Sequence, residues 1–216
     1  MMKQIRYLII SVMVISLFYN CRPKDRYERM VREELAKGVR VDSLFLDLHL
    51  GMTDKEFYGH CWELNKQGLI RQGTSNTSVL YKMNELEDAA EMNFYPNFYK
   101  GRIYEMPVKY NYEGWAPWNK HLSSDSLQLE ILRLYKDWYG DDFMEVKHRN
   151  RGTAYIKVDG NRRITIFKMD ERHVWAIFTD LLVEKEIKEL KKQEDNQDVQ
   201  RNEEVNPLEE TLGISE

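Results

Sequence analysis

Cysteine and basic charge are both scarce in this sequence, and each shortage excludes a class of protein. Only Cys21 and Cys61 occur in 216 residues, which is too few for a small scaffold held together by disulfide bonds. The net charge is −4 and the pI is near 5.8, whereas nucleic-acid binders usually have a basic face or a pI above about 9. We therefore expect no nucleic-acid partner. Hydrophobic residues still make up 42% of the chain, which is enough for a folded core.

Motifs that hold metals or activate nucleophiles are missing as well. The sequence has no EF-hand loop, no His-x-x-x-His pair and no Gly-x-Ser-x-Gly elbow. Asp141, Asp142 and Glu145 are close together, but a polar turn explains them. Basic residues cluster near predicted hairpin ends and are typical of solvated loop tips, with an anion site as the alternative: Arg149, Arg151, Arg162 and Arg163. The sequence thus gives no reason to expect a metal, a cofactor or a catalytic residue.

One long uncharged run lies at the N-terminus. Residues 7–19 (YLIISVMVISLFY) carry no charge and follow Lys3 and Arg6. A basic segment before an apolar stretch of about 7–15 residues has the form of a secretory signal. A bilayer span needs about 20 residues, and a buried core helix would show a polar second face. We predict that residues 1–20 are a signal peptide.

The apolar run ends at Cys21, and this junction resembles a bacterial lipoprotein signal. In such proteins the cysteine becomes the lipidated first residue after cleavage, so the resemblance implies lipidation at Cys21, the membrane as a partner and a location in the cell envelope. Residues 17–20 (LFYN) are bulkier than the small residues usual at that place. An uncleaved N-terminal anchor and a disulfide bond between Cys21 and Cys61 are the alternatives.

The remaining chain divides by composition into three parts. Residues 21–40 are charged, and a thin apolar stripe predicts a solvated spacer helix near residues 25–37. Residues 41–192 have the patterns of one folded domain. Residues 193–216 are rich in Glu, Asp, Asn and Gln, which predicts a disordered acidic tail after a helix that ends near residue 192.

Helical signals within the domain come from caps and periodicity. Leucines alternate over residues 44–50, which predicts a strand with a leucine face. Thr53, followed three residues later by Glu56, predicts a capping box and a helix that stops at Gly68. Cys61 falls on the apolar face of this helix, so we expect it to point inward. A second helix is predicted over residues 124–139, with Gly140 as its stop.

Strand patterns fill the rest of the domain. The predicted strands are residues 78–83, 91–96, 102–112, 143–148, 153–158, 163–169 and 173–180, with residues 97–101 as a turn. Asp159-Gly160 is a strong hairpin signal, and Pro107 indicates an edge strand or a bulge. The predicted fold class is α+β, an antiparallel sheet packed by two or three helices. Gly68 and Gly140 end both helices, which suggests a tandem helix-then-strands duplication of about 72 residues.

The segment LGMTDKEF, residues 50–57, resembles the opening of small envelope lipoproteins of the SmpA/OmlA (BamE) type and of β-lactamase-inhibitor-protein-like domains. Gly51, Met52, Thr53 and Glu56 match, whereas the usual Gly-x-Pro after the helix is replaced by residues 68–70 (GLI). The whole chain is similar to envelope lipoproteins of Gram-negative bacteria. The resemblance implies a helix packed on an antiparallel sheet and an envelope-facing binding module.

Aromatic residues are concentrated between positions 94 and 118. Tyr110 and Tyr112 alternate along a predicted strand, whereas Trp115 and Trp118 lie in a loop with glycine and proline. Loop tryptophans can anchor a partner or stack on a sugar, and they can also pack against the end of a sheet. These four residues are the candidate ligand- or partner-binding residues, and an envelope protein is the candidate partner.

Two functions follow from these observations. Residues 121–125 (HLSSD) contain the residue types of a hydrolase triad, although a helix N-cap at Ser123 or Ser124 explains them better. His60 precedes Cys61, but adjacent helix residues point about 100° apart, so His60 is poorly placed as its base. The predicted function is non-enzymatic binding of a protein or ligand. The alternative is an extracytoplasmic hydrolase whose site is assembled from dispersed His, Asp and Ser residues.

Overall fold

A computed structural model of the protein describes residues 23–73, 78–149 and 152–212. Cys21 and the predicted signal peptide lie outside these residues. The described chain contains a nine-stranded antiparallel sheet and four α-helices, which confirms the predicted α+β class. The helices are α1 (Pro23–Ala36), α2 (Asp54–Lys66), α3 (Ser124–Tyr139) and α4 (Leu181–Leu212).

The strands form one sheet in the order β1-β2-β3-β5-β9-β8-β7-β6, and β4 pairs with β5 beside this path. Their bounds are β1 (Ile70–Gln72), β2 (Val79–Met83), β3 (Ala90–Phe94), β4 (Asn97–Tyr99), β5 (Arg102–Tyr112), β6 (Met144–His148), β7 (Gly152–Asp159), β8 (Arg162–Lys168) and β9 (Val174–Asp180). The short strand β4 lies where the sequence predicted only a turn.

The order of elements repeats in the two halves of the chain. Helix α2 precedes β1, β2, β3 and β5, and helix α3 precedes β6, β7, β8 and β9. The halves meet through their last strands, β5 and β9, where Val108 pairs with Ala176. Each half is thus a helix followed by an antiparallel group of strands, as the glycine spacing suggested. Across the sheet, the strands of the first half run in chain order up to β5, and those of the second half run in reverse order from β9.

The core lies between the helices and one face of the sheet. Met106, Val108 and Tyr110 on β5 are fully buried, as are Ala176 and Phe178 on β9. Helix α3 packs on this face, and the hydroxyl oxygens of Tyr110 and Tyr135 are 2.7 Å apart. Burial of each large apolar side chain contributes about 1.5–3 kcal/mol, so this layer supplies most of the stabilisation of the sheet.

Helix α2 begins with the predicted capping box. The backbone N–H of Glu56 donates to Thr53 Oγ1 over 3.2 Å, and the backbone N–H of Thr53 donates to Glu56 Oε2 over 2.8 Å. Gly68, at φ +73°, follows the helix in the left-handed region that glycine tolerates best. Cys61 is half-buried and packs against the core, and burial raises its pKa to about 11.

The leucine-rich segment, residues 43–50, is a tight loop, so the prediction of a strand was wrong. Leu46 and Asp47 have φ values of +50° and +58°, and the N–H of Leu48 donates to Phe45 O over 2.9 Å. The loop closes on itself through an isolated bridge between Ser43 and His49. Leu44, Phe45, Leu48 and Leu50 are buried and Leu46 is only half-buried, so burial in the loop does not follow the period of two. We call this segment the leucine loop.

Pro107 lies in a central strand, where the sequence predicted an edge strand or a bulge. It pairs with Ile177 of β9 on one side. On the other side, β3 ends opposite Val108 and β4 begins opposite Glu105. Proline is therefore accommodated where the neighbouring strand is interrupted, because no ladder hydrogen bond is needed there.

The two terminal segments differ from the sequence predictions. Helix α1 forms as predicted but packs on the domain: Arg163 Nη1 donates to Tyr27 Oη over 2.9 Å, and the backbone N–H of Gly160 donates to Glu34 Oε2 over 3.2 Å. Helix α4 continues through Leu212, where the sequence predicted a disordered tail from residue 193. Glu, Lys and Gln are strong helix formers, so a polar composition did not by itself prevent a helix.

Candidate ligand pocket

A pocket of about 560 Å³ lies between the leucine loop and the end of helix α3. Tyr81 of β2 and Met92 of β3, which are paired in the sheet, are among its lining residues. Phe45 of the leucine loop borders one side and Trp138 of α3 borders another. The volume is within the range of about 300–1,000 Å³ found for small-molecule sites.

The end of helix α3 supplies the aromatic wall of the pocket. Trp138 stacks on Tyr135, with ring centroids 5.9 Å apart, and it is 39% exposed. The hydroxyl of Tyr139 donates to Leu44 O over 3.0 Å, which fastens the leucine loop to the helix. Gly140 ends the helix at φ +93°, so Trp138 and Tyr139 lie in its last turn and border the pocket.

Arg162 is the charged donor of the pocket. It is the first residue of β8, after the predicted Asp159-Gly160 hairpin, and it is only 3% exposed. Its Nη1 donates to Ser43 O and to Ser43 Oγ, and its Nη2 donates to Asp159 Oδ2 over 3.0 Å. Its Nε is buried and has no hydrogen-bond partner among the described residues. A buried donor without an acceptor costs about 1–3 kcal/mol.

The other side of the pocket is acidic. Glu85 lines the pocket and accepts a hydrogen bond from the Tyr81 hydroxyl over 2.7 Å. Burial, together with the Glu85 carboxylate, raises the pKa of Tyr81 to about 12, so the phenol stays neutral and donates. An adjoining groove of about 280 Å³ is lined by Glu85, Arg133 and three further acidic residues, Glu87, Glu130 and Asp137. We call this side the acidic rim.

The residues proposed for a hydrolase triad do not come together. His121 Nε2 is 2.9 Å from Asp88 Oδ2 on the surface. The Ser124 hydroxyl donates to Asp170 O over 2.6 Å, and Asp125 pairs with Lys168. Each group is thus engaged by a different partner.

The remaining histidines also have separate surroundings. His173 Nδ1 is 2.9 Å from Asp170 Oδ2. His60 Nε2 is 2.7 Å from Leu46 O, and His49 Nδ1 is 3.0 Å from Leu50 O. His148 borders a separate groove beside Phe167. None of the five histidines lines the pocket beneath the leucine loop.

The four candidate binding residues from the sequence have different environments. Trp118 is 85% exposed and is available to a partner. Trp115 is held against the domain, because its Nε1 donates to Glu171 O over 3.1 Å and the guanidinium of Arg172 lies 5.7 Å from its ring centroid. Tyr110 and Tyr112 are 0% and 1% exposed, so their assignment as contact residues was wrong. Their strand positions face the helices, and they belong to the core.

Sequence reasoning missed the residues that build the pocket. Trp138 and Tyr139 were visible only as the last residues of the predicted helix before Gly140, and Arg162 was expected to be solvated. The available signals were an aromatic pair at a helix end and an arginine directly after a hairpin. Neither signal shows that the two places meet, because that contact depends on the tertiary fold.

The described residues contain neither a metal-binding cluster nor a membrane-spanning helix. In residues 23–73, 78–149 and 152–212, no group of three or more His, Cys, Asp or Glu side chains is arranged to hold a metal ion. None of the helices in that part of the chain has the length and apolar character needed to cross a bilayer. No protein-family model, curated protein or solved structure matches this chain.

Proposed function

We propose that the protein is a membrane-anchored envelope lipoprotein whose α+β domain binds a small molecule in the pocket beneath the leucine loop, without catalysing a reaction. The observation that carries this proposal is a pocket of about 560 Å³ in which aromatic walls adjoin the side chains of Arg162 and Glu85. A largely apolar cleft with a few convergent polar groups is the usual form of a ligand site.

The distribution of titratable groups supports binding over hydrolysis. A hydrolytic site needs a nucleophile, a base and an orienting group within hydrogen-bond reach of one another. His121, Ser124 and Asp125 are each engaged by a separate partner. The pocket itself is lined by Arg162 and Glu85 beside aromatic side chains, which suits recognition.

The position of α1 determines how an anchor at Cys21 would orient the domain. Helix α1 begins at Pro23, two positions after Cys21, and it contacts Arg163 at the start of β8. Trp115 contacts Glu171, just beyond the other end of β8. A strand of this length spans about 20 Å. A lipid on Cys21 would therefore hold the α1 end toward the membrane and leave the exposed Trp118 toward an envelope partner.

The pocket can be tested with a neutral planar probe. Naphthalene-2-carboxamide would be titrated by saturation-transfer NMR against the full chain in phosphatidylcholine nanodiscs, with empty nanodiscs as the blank. Trp138→Ala should weaken binding by about tenfold, since a ring stacked on tryptophan contributes roughly 1–2 kcal/mol. The matched control is Trp62→Ala, which removes an exposed tryptophan of α2 that does not line this pocket. Absence of binding, or equal loss in both variants, would reject the pocket.

The anchor can be tested separately. In a Gram-negative host, the wild-type chain should take up radiolabelled palmitate and sediment with membranes, and Cys21→Ser should take up no label. Cys61→Ser is the matched control and should keep both properties. Label retained by Cys21→Ser would disprove lipidation at that residue, while sedimentation without label would indicate an uncleaved anchor.

A further inference from the structure

We propose that the edge strand β6 pairs with β6 of a second copy of this chain, so that two sheets join across a two-fold axis. Among the described strands, β6 pairs with β7 alone and stands at one end of the strand order. An edge strand presents backbone N–H and C=O groups with which another strand can pair. Residues of β6 do not line the ligand pocket, so this interface is separate from the proposed binding function.

The sequence of β6 (MEVKH, residues 144–148) is complementary to itself in charge. In an antiparallel pair of two such strands centred on Val146, Glu145 of each copy lies opposite Lys147 of the other. Side chains directly opposite each other in antiparallel strands have Cβ atoms about 4.5–5.5 Å apart, and opposite charges there stabilise the pairing. The two-fold axis produces this contact twice.

Charge and side-chain direction both select this register. A pair centred on Glu145 would place two glutamates opposite each other, and a pair centred on Lys147 would do the same with two lysines. Like charges in such positions are destabilising. A centre between two residues would join the helix-covered face of one sheet to the open face of the other. The register centred on Val146 avoids all three conflicts.

The charged side chains of β6 are accessible in the single chain. The side chains of Lys147 and Glu145 are 79% and 48% exposed, and Lys147 Nζ lies 3.2 Å from Glu145 Oε1. An exposed ion pair of this kind contributes little to stability, so its exchange for two pairs across an interface costs little. Charges on an edge strand usually prevent association, but here each charge would meet its opposite.

An apolar row on the open face of the sheet reaches the same edge. On the face opposite to α3, Val146 pairs with Ala154, Ala154 with Phe167 and Phe167 with Trp175. These four side chains are half-buried, and the first three line a groove of about 810 Å³. Pairing centred on Val146 would place the two valines opposite each other and continue the row into the second copy.

The opposite end of the described strand order does not have this complementarity. Strand β1 (Ile70–Gln72) is the edge there and pairs with β2. Antiparallel self-pairing centred on Arg71 would place two arginines opposite each other, which disfavours association. The second copy is therefore expected at β6.

Sedimentation equilibrium of the full chain in a density-matched detergent, pentaethylene glycol monooctyl ether, measures the association. The wild-type chain should dimerise as its concentration rises. Glu145→Lys should weaken the dimer at least about tenfold, because both opposite-charge pairs become like-charge pairs, and Lys147→Glu should do the same. Arg71→Glu, at the other edge, is the matched control and should change the dissociation constant by less than about twofold.

Exchange of the two charges is the decisive check. The double variant, Glu145→Lys with Lys147→Glu, again has opposite charges across the interface, so its dissociation constant should be within about threefold of the wild-type value. An equimolar mixture of the two single variants should also associate, because one edge is then doubly basic and the other doubly acidic.

A wild-type chain that stays monomeric up to about 1 mM would overturn the pairing of β6. A dimer that persists in both single variants would place the contact elsewhere and overturn it as well. The same conclusion follows if the double variant is folded by circular dichroism but remains monomeric. If the double variant does not fold, association in the mixture of single variants supports the pairing and its absence overturns it.

Discussion

The guanidinium carbon of Arg162 lies 4.8 Å from the ring centroid of Tyr139, and this contact joins the first residue of β8 to the last residue of α3. Tyr139 also donates to Leu44 O, while Arg162 donates to Ser43 O. The two residues therefore hold the leucine loop from both sides. Burial raises the pKa of Tyr139 more than Arg162 lowers it, so the phenol stays neutral and can donate.

Substitutions of Tyr139 should separate the hydroxyl from the ring. Tyr139→Phe removes only the hydrogen bond to Leu44 O, so the free energy of unfolding should fall by about 1 kcal/mol. Tyr139→Ala also removes the ring beneath Arg162, and the loss should reach about 2–4 kcal/mol. Urea unfolding followed by fluorescence measures both values. Equal losses in the two variants would show that the stacked ring contributes nothing.

The sequence correctly predicted helix caps, helix ends and one hairpin turn, which depend on residues close together in the chain. Thr53 and Glu56 form the capping box that their spacing predicts, and α3 has the predicted bounds because its periodicity ends at Gly140. The Asp159-Gly160 hairpin also forms between β7 and β8. Caps, glycine stops and hairpin turns are decided within a few residues, which is why one sequence is sufficient.

Long-range contacts explain what could not be predicted. A run of alternating leucines is compatible with a strand and with a loop. Which of the two forms at residues 43–50 depends on contacts with the core, which are distant in sequence. Arg162 was expected to be solvated because nothing local shows that Ser43, far away in sequence, accepts its hydrogen bonds. The pocket combines one loop, one helix end and one strand start, so it exists only in the folded chain.

Glu184 should make stability depend on pH in a defined direction. Burial alone would raise the pKa of Glu184, but hydrogen bonds and charge from Arg163 and Lys188 bring it below its ordinary value of 4.5. Because the folded-state pKa is the lower one, the stabilisation is complete above pH 4.5 and is lost as the pH falls through the folded-state value. Glu184→Gln should cost about 1 kcal/mol at neutral pH and almost nothing in strong acid.

Urea unfolding at a series of pH values measures this dependence. The matched control is Glu189→Gln on the exposed face of α4, where the pair with Lys185 is 3.8 Å long; it should change stability by less than about 0.5 kcal/mol. A Glu184→Gln effect that stayed constant from neutral to acid pH would rule out the ion pair with Arg163 as its cause.

Trp115 and Trp118 should respond differently to truncation. Trp118 is 85% exposed, so Trp118→Ala should change the free energy of unfolding by less than about 0.5 kcal/mol. Trp115→Ala removes the hydrogen bond to Glu171 O and the contact with Arg172, at a cost of about 1–3 kcal/mol. Thermal unfolding of both variants is the measurement. Similar destabilisation in the two would place Trp118 in a structural role and remove the reason to consider it a partner anchor.

Cys61 should react slowly as long as the domain is folded. Its pKa is raised to about 11 by burial, so little thiolate exists at mildly alkaline pH, and the thiolate is the reactive form. In a Cys21→Ser background, where Cys61 is the remaining cysteine, iodoacetamide labelling should be about 100-fold slower than that of an unperturbed cysteine. Denaturing urea should restore the ordinary rate, as mass spectrometry of quenched samples can show. Fast labelling of the native chain would contradict the position of Cys61 against the core and reopen the question of its pairing with Cys21.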